Sequence, residues 1–161
     1  MLPSVRIIYS PTQAWEAVRA ARPGWMASLV LQTLPFAAIA ALAWPFFSTV
    51  ALYLAAVAIL ALAFFVLSPW FGVQRSWDRS MALAAYASTP VVLCGALLVF
   101  PMAAVLAVPA FLHSFALCYL GAQQVLGCRE PEAAMFVAMA WVLSSAASML
   151  LGGLCGAAGL I

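Results

Sequence analysis

A chain of 161 residues that is 68% apolar and only 6% charged, with a mean hydropathy of +1.16, falls outside the composition of soluble domains, where about a quarter of residues are charged. Its net charge of +2 is carried by six scattered Arg and no Lys, which excludes a nucleic-acid-binding surface. The composition predicts an all-α polytopic membrane protein, with the lipid bilayer as its first partner.

Residues 1–24 form a predicted cytoplasmic N-terminal segment, and residues 25–161 the transmembrane domain. Arg6 is followed by mixed polar sequence rather than an apolar run, so a secretory signal is not expected. The stretch SPTQAWEAVRAARPGW reads as a short amphipathic helix. Ser10 is placed to cap it, Pro11 suits the first helical position, and Gln13 completes an S-x-x-Q capping box. Trp15 and Val18 share a face, and Pro23-Gly24 ends the helix. It is expected to lie in the membrane interface, with Trp15 at headgroup level and Arg19 and Arg22 toward anionic lipid.

Two charge-free stretches follow, Pro23 to Gln74 (52 residues) and Ser80 to Cys128 (49 residues). A helix needs about 20 apolar residues to cross the bilayer, so each stretch fits two crossings and a tight turn. The first pair is predicted at about 26–44 and 49–72, joined by WPFFS, with Ser68-Pro69-Trp70-Phe71-Gly72 closing the second. Then comes QRSWDRS, which gathers three of the ten charged side chains. Two Arg and one Asp at the bilayer centre would cost about 7–10 kcal/mol, so this segment is predicted as a loop. The third and fourth crossings are predicted at about 81–100 and 102–126, with a turn at Pro101. Gly127 is placed as a helix C-cap and Pro131 near the start of the fifth crossing, at about 133–154.

Five crossings put the N-terminal segment, the QRSWDRS loop and the GCREPE loop on one side. These hold all six Arg, so the N-terminus is expected inside and the C-terminus outside, in the inner (cytoplasmic) membrane. Arg75, Asp78 and Arg79 read first as topological anchors. The alternative makes them, with Arg129, a cytoplasmic docking face for a protein partner.

Few residues point to chemistry. His113 is expected within the fourth crossing, on nearly the same face as Leu117, Leu120 and Gln124, with Tyr119 close by. A polar stripe from His113 to Gln124 without an intramembrane carboxylate is thin for a proton relay. A neutral His bonded to a hydroxyl or carbonyl on a neighbouring helix is the simpler reading, and a permeation path past His113, Tyr119 and Gln124 the other. Ser144, Ser148, Gly152 and Gly156 recur every four residues, a small-residue face suited to close helix packing, within the chain or between copies. Pro35, Pro90 and Pro109 each interrupt a predicted crossing, and Ser88-Thr89-Pro90 is expected to kink the third while hydroxyls re-satisfy freed carbonyls. Cys94, Cys118 and Cys155 fall in apolar runs and Cys128 in a loop, without a CxxC pair, so buried thiols are expected rather than a metal site. No GxSxG, HExxH or Walker motif is found; neither an enzyme nor a cofactor is expected.

Three stretches together resemble the bacterial branch of the Yip-domain family, related to the Ypt/Rab-interacting membrane proteins: the opening with Pro11 and Trp15, the Ala-Tyr-Ala-x-Thr-Pro element from Ala85 to Pro90, and Tyr-Leu-Gly from Tyr119 to Gly121 with Pro131 downstream. The resemblance implies a five-helix bundle with a cytoplasmic N-terminus and no enzymatic activity. Eukaryotic relatives act in vesicle trafficking with small GTPases and carry a long cytosolic N-terminal region. Here only about 24 residues precede the first predicted crossing, which argues against GTPase binding. The expected role is a non-enzymatic scaffold, adaptor or membrane-organising factor with a protein partner or further copies of itself. The alternative is a small oligomeric transporter.

Overall fold

The structure, a computed structural model, describes residues 7–41, 46–97 and 105–157. Those residues are helical throughout, joined by short loops, with no strand among them.

Helix α1 is Pro11–Ala21, with Pro11 in its first turn as expected. The capping box does not form: Ser10 makes no side-chain cap, and Gln13 is exposed. Helix α2 covers 25–41 and is continuous through three forms, α-helical at Trp25–Ala27, π-helical at Ser28–Thr33 and α-helical at Leu34–Ala41. The π turns lie directly before Pro35, which lacks the N–H that regular helix bonding requires. Widening the preceding turns lets the helix pass the proline without ending, so Pro35 modulates α2 rather than interrupting it.

Helix α3 is Phe46–Leu67 and tightens into a 3-10 turn at Ser68–Phe71 before Gly72, whose φ of 65° closes it. Residues 42–45 lie outside the described residues, and α3 already begins at Phe46, inside the WPFFS segment expected to be a turn. Helix α4, Trp77–Ala87, begins inside QRSWDRS, so only Arg75 of its three charged residues is on a loop and Asp78 and Arg79 occupy a first helical turn. An acidic residue there is stabilised by the N-terminal end of the helix dipole. Helix α5, Thr89–Leu97, continues past a break at Ser88, where the hydroxyl donates to the Ala84 carbonyl at 2.6 Å; that carbonyl also accepts the Ser88 N–H, so the bond does not serve the Tyr86 carbonyl four residues before Pro90, as the expected kink requires.

The turn expected at Pro101 lies outside the described residues. Helix α6 is Ala107–Gly121, extended by π turns over Ala122–Leu126 and closed by Gly127 at φ 75°. Pro109 sits in its first turn, where no intrahelical donor is needed, and does not interrupt it. Helix α7 is Glu130–Ala157, 28 residues and so about 42 Å long.

Two segments are long and apolar enough to cross a membrane, Val50–Phe71 and Glu130–Leu151, while Trp25–Ile39 is apolar but shorter. The core is built where α3 meets α4 and α7. Phe64 and Phe71 of α3 both pack on Phe136 of α7, with ring centroids 5.5 and 5.2 Å apart. Ala133, Phe136, Val137 and Ala140 are fully buried and define the inward face of α7. Ser144 continues that face, with its hydroxyl bonded to the Trp141 carbonyl at 3.0 Å, whereas Ser148 is exposed. Among the residues whose side chains are described, the packing face of α7 within this chain is therefore its N-terminal half. The surroundings of Gly152 and Gly156 lie outside what the structure describes.

Candidate functional site

The N-terminal helix packs at the end of the molecule where α4 begins and α6 ends. Its apolar residues Ala14, Trp15 and Val18 are buried against protein, and Trp15 is fully enclosed rather than lying at the surface of a bilayer as the amphipathic pattern suggested. Trp15 stands edge-on to Tyr86 of α4, 6.3 Å between centroids. On its other side is Gly121 of α6, where a Cβ would come within 2.7 Å of the indole. Only the missing side chain of Gly121 admits the ring, and Leu83 closes the same contact. The three family-like stretches of the sequence thus meet at one point: Trp15 from the first, Tyr86 from the second, Gly121 from the third.

Asp78 has a structural task. Its Oδ1 accepts the backbone N–H of Trp25 at 2.8 Å, so the first turn of α4 caps the start of α2. Arg75 is also held: its guanidinium stacks 4.4 Å from the centre of the Phe65 ring, Nε donates to the Phe65 carbonyl at 3.3 Å, and Trp77 meets the same ring edge-on. Arg79 is half-buried, and Arg129 is exposed in the loop after α6. The four candidate docking residues therefore separate into Arg75 and Arg129 at the surface, Asp78 in a cap, and Arg79 turned to a cavity.

That cavity, about 700 Å³, lies between the end of α1, the start of α4 and the end of α6. Arg19, Arg22, Ser76, Asp78, Arg79 and Gln124 supply its polar wall, and Val18, Pro23, Ala82, Val125 and Leu126 its apolar wall. The cavity is not legible in the sequence, because its parts come from positions more than a hundred residues apart. A usable signal was present in Gln124, an amide at the end of an apolar helix.

The intramembrane candidates are not brought together. His113 is half-buried on α6 with Nε2 enclosed and without a partner among the described residues, so the hydrogen bond expected of it is not seen. Gln124 belongs to the cavity instead, and Tyr119 packs partly buried against the core. The π turns at Ala122–Leu126 shift the phase of the helix, so a count at 100° per residue misplaces Gln124 relative to His113.

One polar contact in the apolar interior was not anticipated. Gln32, in the π turns of α2, donates from Nε2 to Thr89 Oγ1 at 2.9 Å, and both are buried. The contact joins the two irregular points of neighbouring helices, the widened turns before Pro35 and the break before Pro90. A lone Gln in a long apolar run was the available signal.

Cys94, Cys118 and Cys128 are free and buried. Burial pushes the Cys128 thiol up, and the Glu132 carboxylate adds to the shift. No three His, Cys, Asp or Glu side chains come together among the described residues.

Comparison with known proteins turns on one match: a family model, the Yip1 domain, aligns with residues 5–152. The chain belongs to the Yip1 domain family. Trp15, Tyr86 and Gly121 all lie inside the matched region, and membership together with the two long apolar helices points to a membrane protein. No curated protein and no solved structure is matched by the chain.

Proposed function

We propose that this Yip1 domain protein is a non-enzymatic scaffold or adaptor of the cytoplasmic membrane, with five crossings, a cytoplasmic N-terminus and an external C-terminus. The observation that carries the reading is the docking of α1 onto the ends of α4 and α6 through Trp15. It supports a preformed face at one end of the bundle, the end that carries all six Arg of the sequence if the helices alternate across the bilayer. Arg75 is held in place by Phe65 and Arg129 is exposed, so both are available to an acidic partner. The second docking surface in this reading is the outer side of α7 beyond Trp141, where Val142, Met149 and Leu150 are exposed apolar side chains facing lipid or another copy.

The test is extraction in a polymer nanodisc followed by quantitative mass spectrometry of what remains bound. A near-stoichiometric protein lost in Arg75→Ala/Arg129→Ala supports the adaptor; an unchanged set of bound proteins removes this docking face.

A second reading, a permeation path, is favoured by four enclosed polar atoms between positions 113 and 124 without partners among the described residues: His113 Nε2, Ser114 Oγ, Gln123 Nε2 and Gln124 Oε1. In that reading His113→Leu lowers flux through liposomes. Full flux in His113→Leu would eliminate it.

A further inference from the structure

The cavity under α1 gathers three guanidinium-bearing residues, Arg19, Arg22 and Arg79, with Asp78 as its only acidic residue. Asp78 already accepts the Trp25 N–H, and none of the three Arg forms an ion pair among the described residues. Arg19 and Arg22 are exposed and Arg79 is half-buried, so the cavity presents a positively charged opening that attracts an anion. The first turn of α4 lies on the same wall: Ser76, Asp78 and Arg79 all line the cavity and Ser76 makes no side-chain cap, so the positive end of that helix dipole lies beside it. The Gln124 amide stands on the opposite wall, its Oε1 without a partner among the described residues, and can turn its NH2 toward an acceptor.

Arg22 is also the left-handed residue that ends α1, its N–H bonded to the Val18 carbonyl. Its φ of 43° lies in the left-handed region, where helix ends ordinarily carry Gly or Asn, and no other non-glycine residue among those described has positive φ. Backbone strain held at a side chain that lines a charged cavity is a mark of a functional position.

We infer that this cavity binds the phosphate of an anionic phospholipid headgroup. Guanidinium groups and helix N-terminal amides are the donors that suit phosphate oxygens. A lipid rather than a free anion fits the position of the cavity, where the apolar helix α2 begins and α6 ends, with Pro23 and the nearly buried Val18, Val125 and Leu126 on its wall. The bound headgroup would fasten α1 to the bundle, and its binding does not require the adaptor role proposed above.

The test uses the full chain purified in a non-ionic detergent, titrated with dioleoyl phosphatidylglycerol, with dioleoyl phosphatidylcholine and with inorganic phosphate, and read by native mass spectrometry. Arg22→Gly is the decisive variant because it relieves the backbone while deleting the guanidinium, so lost binding cannot be ascribed to a damaged fold. Arg79→Gln is the second variant, and Arg129→Gln, outside the cavity, is the control.

Phosphatidylglycerol is expected to bind in preference to phosphatidylcholine, with affinity reduced about tenfold in Arg22→Gly and in Arg79→Gln, and unchanged in Arg129→Gln. Wild-type affinity in both cavity variants, or an equal loss in Arg129→Gln, would overturn the site in favour of diffuse charge attraction. Displacement of the lipid by an equimolar concentration of inorganic phosphate would overturn the lipid as its occupant.

Discussion

Replacing Gly121 with Ala sets two effects of opposite sign against each other. Helix propensity alone favours Ala by about 1 kcal/mol. The new methyl, however, would lie 2.7 and 2.8 Å from two atoms of the Trp15 ring, and against Leu83, where carbon atoms prefer about 3.5–4.0 Å. Trp15 and Leu83 are both fully buried, so neither has room to retreat by the required ångström. Overpacking of this kind costs about 1–3 kcal/mol, and two enclosed neighbours place it toward the upper end. The net expectation is destabilisation by about 1–2 kcal/mol. Unfolding in mixed micelles titrated with sodium dodecyl sulfate measures it. Trp15→Phe removes the part of the indole that the methyl would strike, so the double variant should cost less than the two single changes added together. Stabilisation by Gly121→Ala, or strict additivity with Trp15→Phe, would refute the packing of α1 against α6.

Four further outcomes follow from named contacts. Asp78→Ala should cost about 0.5–2 kcal/mol by uncapping α2 at Trp25, while Asp78→Asn, which keeps an acceptor, should cost less in the same titration. Gln32 and Thr89 should show a coupling of about 0.6–1.7 kcal/mol in a double-mutant cycle with Leu and Val, the range for hydrogen bonds between helices in membranes. Arg22→Gly should raise stability by about 1 kcal/mol through release of the left-handed backbone. Cys128, held protonated by burial and by Glu132, should react with maleimide at pH 7.5 more slowly than a free thiol. Its rate should climb as pH rises through the raised pKa, and Glu132→Gln should shift that climb to lower pH.

Punctuation residues were the most legible part of the sequence. Gly72 and Gly127 end helices with positive φ, Pro11 opens one, and Ser88 back-bonds to Ala84 before Pro90, each by a rule that operates within a few residues. The limits appear where partners lie far apart in the chain. The sequence places Trp15 at headgroup level because an amphipathic stripe looks the same whether it meets lipid or protein. What decides is Gly121, more than a hundred residues away. Gln32 and Thr89 escaped for the same reason, 57 positions apart. The π turns at Ser28–Thr33 and Ala122–Leu126 escaped for a different one: periodicity presumes a constant angle per residue, and these segments change it. As a result the polar stripe from His113 to Gln124 dissolved, and Gln124 proved to face the cavity of Arg19, Arg22 and Arg79. On α7 the regular spacing of small residues drew attention to the C-terminal half, although the large residues Phe136 and Val137 carry the packing against α3.

The most direct test of the proposed adaptor role is quantitative mass spectrometry of the tagged protein drawn from native membranes in polymer nanodiscs, comparing the wild type with Arg75→Ala/Arg129→Ala. The account predicts one protein near stoichiometric with the wild type and depleted from the variant, while the yield and unfolding midpoint of the variant stay unchanged. A set of bound proteins identical in both, or no bound protein in either, would contradict it.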